Sequence, residues 1–162
     1  MVNVTVANSD DCAEIANLHI TSWQENYNTV LSKHYLADQI YSERRAVWES
    51  RFQSPQENQI VFVAKVEQQF AGFICLFGHK HQIHGSIIDN LHVVPRFKGQ
   101  GIGKALLECA ANWLLANYPD VGIYLEVLEV NQKAIAFYEH LGGVFLDNSV
   151  WHTPCGNDVN EF

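Results

Sequence analysis

The chain has 162 residues, of which 48% are apolar and 17% charged, and its net charge is −8. That length suits a single domain with a real core, and that balance excludes a disordered chain. The acidic charge argues against general nucleic-acid binding, which wants a basic stripe, and permits a cationic acceptor.

In chain order, Val2–Val6 alternates apolar and polar residues and reads as a strand. Ser9, Asp10 and Asp11 offer N-caps for a helix that runs into Trp23, with Ile15, Leu18 and His19 on one face. Tyr35 to about Phe52 reads as a second helix, with Leu36, Ile40, Val47 and Trp48 as its buried side. The period then changes. Gln59–Val66 and Phe70–Phe77 are strands joined by a hairpin at Glu67–Gln69. His79–Gly85 is a polar turn, and Ser86–Val94 is a strand ended by Pro95, so the three strands predict an antiparallel meander. Ile102, Ala105, Leu106, Cys109, Trp113 and Leu114 recur at helical spacing, and Tyr118–Gly122 stops that helix. Gly122–Val130 is a strand, Asn131 caps a helix ending at Leu141, and Gly142-Gly143 supplies its stop. Val144–Leu146 and Ser149–Thr153 read as closing strands. The order predicts one α/β domain over residues 1–162, a mixed sheet with helices on its faces.

Neither a targeting nor a membrane-spanning segment is predicted. The N-terminus lacks the basic start and apolar core of a signal peptide. The longest apolar run, about Phe70–Phe77, is far short of the ~20 residues a span needs. Cys12, Cys75, Cys109 and Cys155 have no CxxC spacing, so a cytoplasmic protein with reduced thiols is expected. His79, His81 and His84 form a cluster with no carboxylate or cysteine to complete a ligand set, so no metal is expected.

The most informative stretch is Leu91-His92-Val93-Val94-Pro95-Arg96-Phe97-Lys98-Gly99-Gln100-Gly101-Ile102-Gly103-Lys104. A strand ends, three glycines follow on alternate positions, and an amphipathic helix begins. Glycines let a backbone approach closely, and free N–H groups at a helix start converge where the dipole is positive. The product is an anion cradle suited to a pyrophosphate. It is not a P-loop, because Lys98 stands where the first glycine should be and Ala105 follows Lys104. It is not a dinucleotide fingerprint, because Lys104 and Leu106 occupy the third glycine position in the two registers.

Val94-Pro95 followed by Lys98-Gly99-Gln100-Gly101-Ile102-Gly103 resembles the acetyl-CoA signature of the GCN5-related N-acetyltransferase (GNAT) superfamily, with Lys98 replacing the commoner Arg or Gln. A second segment, Asn131, Ala134, Phe137, Tyr138, Leu141 and Gly142, resembles the family's next motif and departs from it at Gly143. The resemblance covers nearly the whole chain in element order. It implies a mixed, mostly antiparallel central sheet of about seven strands with about four helices, splayed between the fourth and fifth strands. It also implies acetyl transfer from acetyl-CoA to a primary amine of a small molecule or protein, by direct attack in a ternary complex. Leu91, His92 and Val93 would pair with pantetheine, and a strand N–H near Val93 would bind the thioester oxygen. Gly99, Gln100, Gly101, Ile102, Gly103 and Lys104 would hold the pyrophosphate.

Tyr138 would protonate the departing thiolate, a role open to a phenol in a desolvated site; it also reads as core, two turns from Asn131. Asn131 reads both as an N-cap and as a cofactor contact. The acceptor amine needs a base. Glu126, a charge within an apolar strand, comes first, Asp89 second and His92 third. Trp23 and Tyr27 would share a helix face and flank a cationic acceptor, or pack in the core. A non-catalytic acyl-CoA-binding module and an NAD-dependent oxidoreductase are the competing readings; the first predicts binding without turnover and the second NAD binding. Trp151–Asn157 reads as a hairpin turn that could support a homodimer edge.

Overall fold

The computed structural model describes residues 1–155 and 158–162. Among these residues seven strands and four helices follow in chain order: β1 (Val2–Val6), α1 (Cys12–Asn26), α2 (Ile40–Gln53), β2 (Gln59–Val66), β3 (Gln69–His81), β4 (Gly85–Val93), α3 (Ile102–Asn117), β5 (Ile123–Leu125), α4 (Gln132–His140), β6 (Ser149–His152) and β7 (Asp158–Glu161). The first five strands form one sheet in sequential order, antiparallel except for the β4–β5 pair, and β6 and β7 form a separate hairpin. The seven expected strands are thus split between two sheets. Gly156 and Asn157, at the end of the turn read for Trp151–Asn157, lie outside the described residues.

β3 is central and covered on both faces, which is why Phe70–Phe77 is continuously apolar. Phe73 and Cys75 pack with Ile15 and Trp48 under α1 and α2, whereas Ile74 and Leu76 pack with Ile102, Leu106 and Leu114 of α3. The β2–β3 turn holds Glu67 and Gln68 at φ of 50° and 67°, the paired left-handed residues that a two-residue hairpin requires. At Gly72 an added Cβ would stand 2.6 Å from the His92 carbonyl oxygen, so glycine lets β3 and β4 run close together.

Several boundaries differ from the sequence reading. A 3-10 turn at Ser9–Asp11 leads into α1, and the cap sits before that turn, at Asn8. Asn8 Oδ1 accepts the Asp10 N–H at 2.9 Å, and buried Asp11 accepts the Asn8 N–H at 3.0 Å, closing a reciprocal box. The second helix opens with a π-helical turn at Tyr35–Gln39. β3 runs on to His81, so the polar turn shrinks to the residues before Gly85. The strand read over Gly122–Val130 lasts only for Ile123–Leu125, because the chain then leaves β4. Val127 exchanges backbone hydrogen bonds with Phe162 (2.8 and 2.7 Å), and the Glu129 N–H bonds to Asn160 O at 2.9 Å. Val144–Leu146 is not a strand. The place beside residues 127–129 is taken by β7, and Val144, Phe145 and Leu146 stay 80%, 61% and 68% exposed.

The same departure opens the site. β4 pairs with β5 only at Ser86↔Ile123, Ile87↔Tyr124 and Ile88↔Leu125. Opposite β3 the register jumps from Leu76↔Ile88 to Cys75↔Asn90, leaving Asp89 as the extra residue of a bulge. Beyond this point the two parallel strands splay apart.

Candidate active site

Two clefts meet at the splay. The first begins at the glycine segment. Gly99 and Gly101 have φ of 77° and 79°, a region that other residues enter only with strain, and no atom beyond their chain neighbours lies within 4 Å of where their Cβ atoms would stand. Gly101 caps α3 with no side chain. The first helical bond runs from the Ala105 N–H to Gly101 O at 3.0 Å, so the N–H groups of Ile102, Gly103 and Lys104 have no acceptor within the helix. The result is an open cradle of donors at the positive end of a sixteen-residue helix.

Within that segment the side chains have separate jobs. Ile102 is buried and anchors the helix, so it presents only its backbone outward. Gln100 folds back, its amide donating to Arg96 O at 3.4 Å. Lys104 stands exposed beside Glu108 at 3.9 Å. Gly103 lies where a Cβ would meet the Phe137 ring at 3.3 Å, and this close passage brings α4 against α3. From the cradle the cleft runs along Leu91, His92 and Val93 to Asn131 and Tyr138. Val94 N–H bonds to Ala71 O at 2.8 Å, so by strand alternation the Val93 N–H turns away from β3, towards the gap.

The second cleft lies on the other side of the same strand ends. Trp23 of α1 and Tyr27, which caps its C-terminus, line it together, and Trp151 of β6 packs edge-on against Trp23 at 5.4 Å. Asp89, Glu126 and Glu161 supply three carboxylates to its wall. Burial, and then the neighbouring charges of Glu161 and Asp89, push the Glu126 carboxyl above its usual value. Asp89 differs: its Oδ2 is 2.9 Å from Arg51 Nη2, and Arg51 also donates to Asn90 Oδ1 at 3.0 Å. Arg44 stands over the Trp23 ring at 4.7 Å, so one face of that indole is already engaged by a cation.

The structure therefore brings Tyr138, Glu126, Asp89, Asn131, Trp23 and Tyr27 around one junction. Tyr138 and His92 line both clefts. Burial first, and then the Tyr27 phenol, push the Tyr138 hydroxyl well above its usual value, so it is a protonated donor at neutral pH. Asn131 does what a cap does, its Oδ1 accepting the Ala134 N–H at 3.3 Å, and its side chain partly offsets the burial that raises the Tyr27 pKa. The histidines of the β3–β4 turn stand apart. The His81 and His84 rings stack at 4.6 Å, and His81 Nδ1 accepts the Ile83 and His84 N–H groups. Among the described residues no group of three ligands suitable for a metal forms.

Sequence reading missed Arg51, Trp151 and Glu161. Arg51 sits on the second helix with nothing in its spacing to join it to Asp89. Trp151 fell within a predicted strand, but its partner β7 was not foreseen, and Glu161 belongs to that strand.

Residues 13–143 match the model of the acetyltransferase (GNAT) family, and the chain belongs to that family. It is an acyltransferase. An uncharacterized N-acetyltransferase of Bacillus subtilis (strain 168), YuaI, is 29% identical over 143 residues, which cover 86% of this chain and 78% of that one. Two solved structures share the fold at lower identity. PaiA N-acetyltransferase from Thermoplasma acidophilum, in complex with coenzyme A, superposes with a TM-score of 0.70 at 19% identity, covering 99% of this chain and 98% of its own. NAA60 of Arabidopsis thaliana, in complex with a bisubstrate analogue, gives 0.72 at 14% identity, covering 99% and 95%. Among the described residues no helix is long and apolar enough to cross a membrane.

Proposed function

We propose that the protein transfers the acetyl group of acetyl-CoA to a primary amine borne by a cationic small molecule or protein, by direct attack while both substrates are bound. The observation that carries this reading is that the two clefts share His92 and Tyr138 where β4 and β5 part. A donor and an acceptor entering from opposite sides would meet there. Among the described residues no cysteine lines either cleft, which favours direct attack over a thiol-borne intermediate.

The cradle at Gly99, Gln100, Gly101, Ile102, Gly103 and Lys104 fits a pyrophosphate, because its φ values exclude most other residues and the space beside its glycines is open. Leu91, His92 and Val93 would receive the pantetheine arm on the unpaired edge of β4. The coenzyme A complex of PaiA supports the same use of this fold. The Val93 N–H faces the gap and would donate to the thioester oxygen as its charge grows.

On the acceptor side the three carboxylates favour an ammonium group, and Trp23, Tyr27 and Trp151 give its carbon chain an aromatic wall. Glu126 takes a proton from that ammonium. It is favoured over Asp89 because its pKa is raised and, among the described residues, its carboxylate has no cation paired with it, whereas Asp89 is engaged by Arg51 at 2.9 Å, and over His92, whose pKa is lowered to about 4. Tyr138 gives its proton to the departing thiolate, whose own basicity rises in the same desolvated site.

A panel of polyamines, aminoglycosides, amino acids and peptide N-termini, with acetyl-CoA and thiol-release detection, tests the reading. Acetylation of a cationic amine is expected. Binding of acetyl-CoA with no turnover on any amine would overturn it.

A further inference from the structure

Trp48 and His19 are both buried in the core between the sheet and the first two helices, 0% and 2% exposed. The indole Nε1–H donates to His19 Nδ1 at 3.0 Å. Indole nitrogen is only ever a donor, so His19 Nδ1 carries no proton and the neutral ring holds its hydrogen on Nε2. That Nε2 is buried and has no hydrogen-bond partner. A buried donor without an acceptor is unusual in a folded protein.

The ring beside it is His92, with centroids 5.0 Å apart and planes tilted by 30°. Two imidazoles joined edge to edge by one N–H···N bond have centroids about 5 Å apart, so the spacing suits such a bond. A half-turn of the His92 ring about its Cβ–Cγ bond exchanges carbon and nitrogen at each edge, and ring shape alone does not decide between the two settings. With one nitrogen accepting from His19, neutral His92 must carry its hydrogen on the other, and His92 is a residue that borders both clefts.

We infer that Trp48, His19 and His92 form a one-way chain of N–H donors that ends in the active site, where His92 donates to the thioester oxygen of acetyl-CoA. This rests on the acetyl-CoA reading given above. His92 is then a catalytic residue that adds a side-chain donor to the backbone donor at Val93. His19 is a positioning residue that fixes which nitrogen of His92 bears the proton. No covalent step is added: the chain stabilises negative charge on the oxygen and transfers no proton.

The chain works only while both rings are neutral, and their surroundings keep them so. Burial, and then the Lys98 charge, lower the His92 pKa to about 4. Burial, then His92, Arg44 and Arg51, lower that of His19 well below its usual value. The charges bearing on the pair are thus Arg44 and Arg51 of α2 and Lys98 of the glycine loop. Of the carboxylates in the adjoining cleft, Asp89 is tied to Arg51. A neutral imidazole is a suitable donor to a growing oxyanion, because it polarises the carbonyl without the desolvation of a buried cation.

The test uses two readouts on the full chain. In histidine labelled with nitrogen-15, the wild-type protein at pH 7 should show His19 protonated on Nε2, His92 as a single neutral tautomer, and a coupling between the two nitrogens through the shared hydrogen. Absence of that coupling, or a mixture of His92 tautomers, would overturn the chain even if acetyl-CoA does not bind. With acetyl-CoA labelled with carbon-13 at the carbonyl, the infrared carbonyl band should fall to lower frequency on binding. His92→Phe should return it most of the way to the free value. His19→Phe should return it part of the way, while His19→Gln, which can still accept from Trp48 and donate onward, should keep most of the shift. If His19→Phe does not fold, His92→Phe and the wild-type spectrum decide. A band equally shifted in wild type and His92→Phe would contradict the inference.

Discussion

The wall formed by Gly99–Lys104 comes from one unbroken stretch of chain, whereas the opposite wall gathers Trp23 from α1 and Tyr27 from its C-terminal cap, Asp89 from β4, Glu126 from just past β5, and Trp151 and Glu161 from the last hairpin. The first wall acts through backbone: N–H groups at a helix start, with glycines that keep the approach open. The second acts through side chains brought together from distant parts of the sequence. A wall made of backbone imposes a local sequence pattern and binds one fixed ligand. A wall made of scattered side chains can change with little effect on the fold, and in the proposed function it is the wall that meets the acceptor.

Four substitutions break or sharpen that contrast. The largest effect is expected from Tyr138→Phe, at the junction of the two walls. It should lower kcat by about 100-fold or more while leaving acetyl-CoA affinity within a few-fold, as measured by thiol release and calorimetry. An equal loss of affinity would make Tyr138 a packing residue. Glu126→Gln comes next, with a fall in kcat/KM of about 10- to 100-fold. In the wild type the rate should rise with pH through an apparent pKa above the ordinary carboxylate range, since the protonated acid cannot accept, and this limb should vanish in the variant. The stability sign is opposite. A carboxyl whose pKa is raised by folding loses stability as pH rises through that value, so at neutral pH Glu126→Gln should raise Tm.

Arg51→Ala probes the scaffold of the acceptor wall. Arg51 pairs with Asp89, bonds Asn90 and lies over the Trp48 ring at 4.8 Å, so its loss should destabilise the fold by about 1–3 kcal/mol in denaturant titration. The smallest effect is expected at the exposed Lys104–Glu108 pair, where Lys104→Ala should change stability by no more than about 0.5 kcal/mol.

The contrast between the walls also explains what the sequence disclosed. Gly99 and Gly101 were readable because left-handed backbone in an open cradle demands glycine, and Gly103 because the helix passes close to the Phe137 ring there. The meander was readable from its apolar strands, and Asn131 from its cap. Arg51 gave no signal, because its pairing with Asp89 spans most of two elements and depends on a bulge that no local pattern marks. The end of β5 was misjudged because Val127 and Leu128 are as apolar as strand residues that face β4, yet the backbone of Val127 and Glu129 bonds to Phe162 and Asn160 instead. Val144-Phe145-Leu146 has strand composition and no free edge to join beside residues 127–129. The departure at Gly143 has a local reason. Its N–H bonds back to Tyr138 O at 2.8 Å, and a Cβ there would stand 2.9 Å from that same oxygen.

Calorimetric titration of acetyl-CoA, with NADH and ATP as controls, into wild type and into a Gly101→Asp/Gly103→Asp double variant tests the central claim most directly. Selective binding by the wild type is expected, with a loss of at least about 100-fold in the double variant, equivalent to about 2.7 kcal/mol, and the sheet still folded. Acetyl-CoA binding that survives both carboxylates, or a folded wild type that binds none, would contradict that claim.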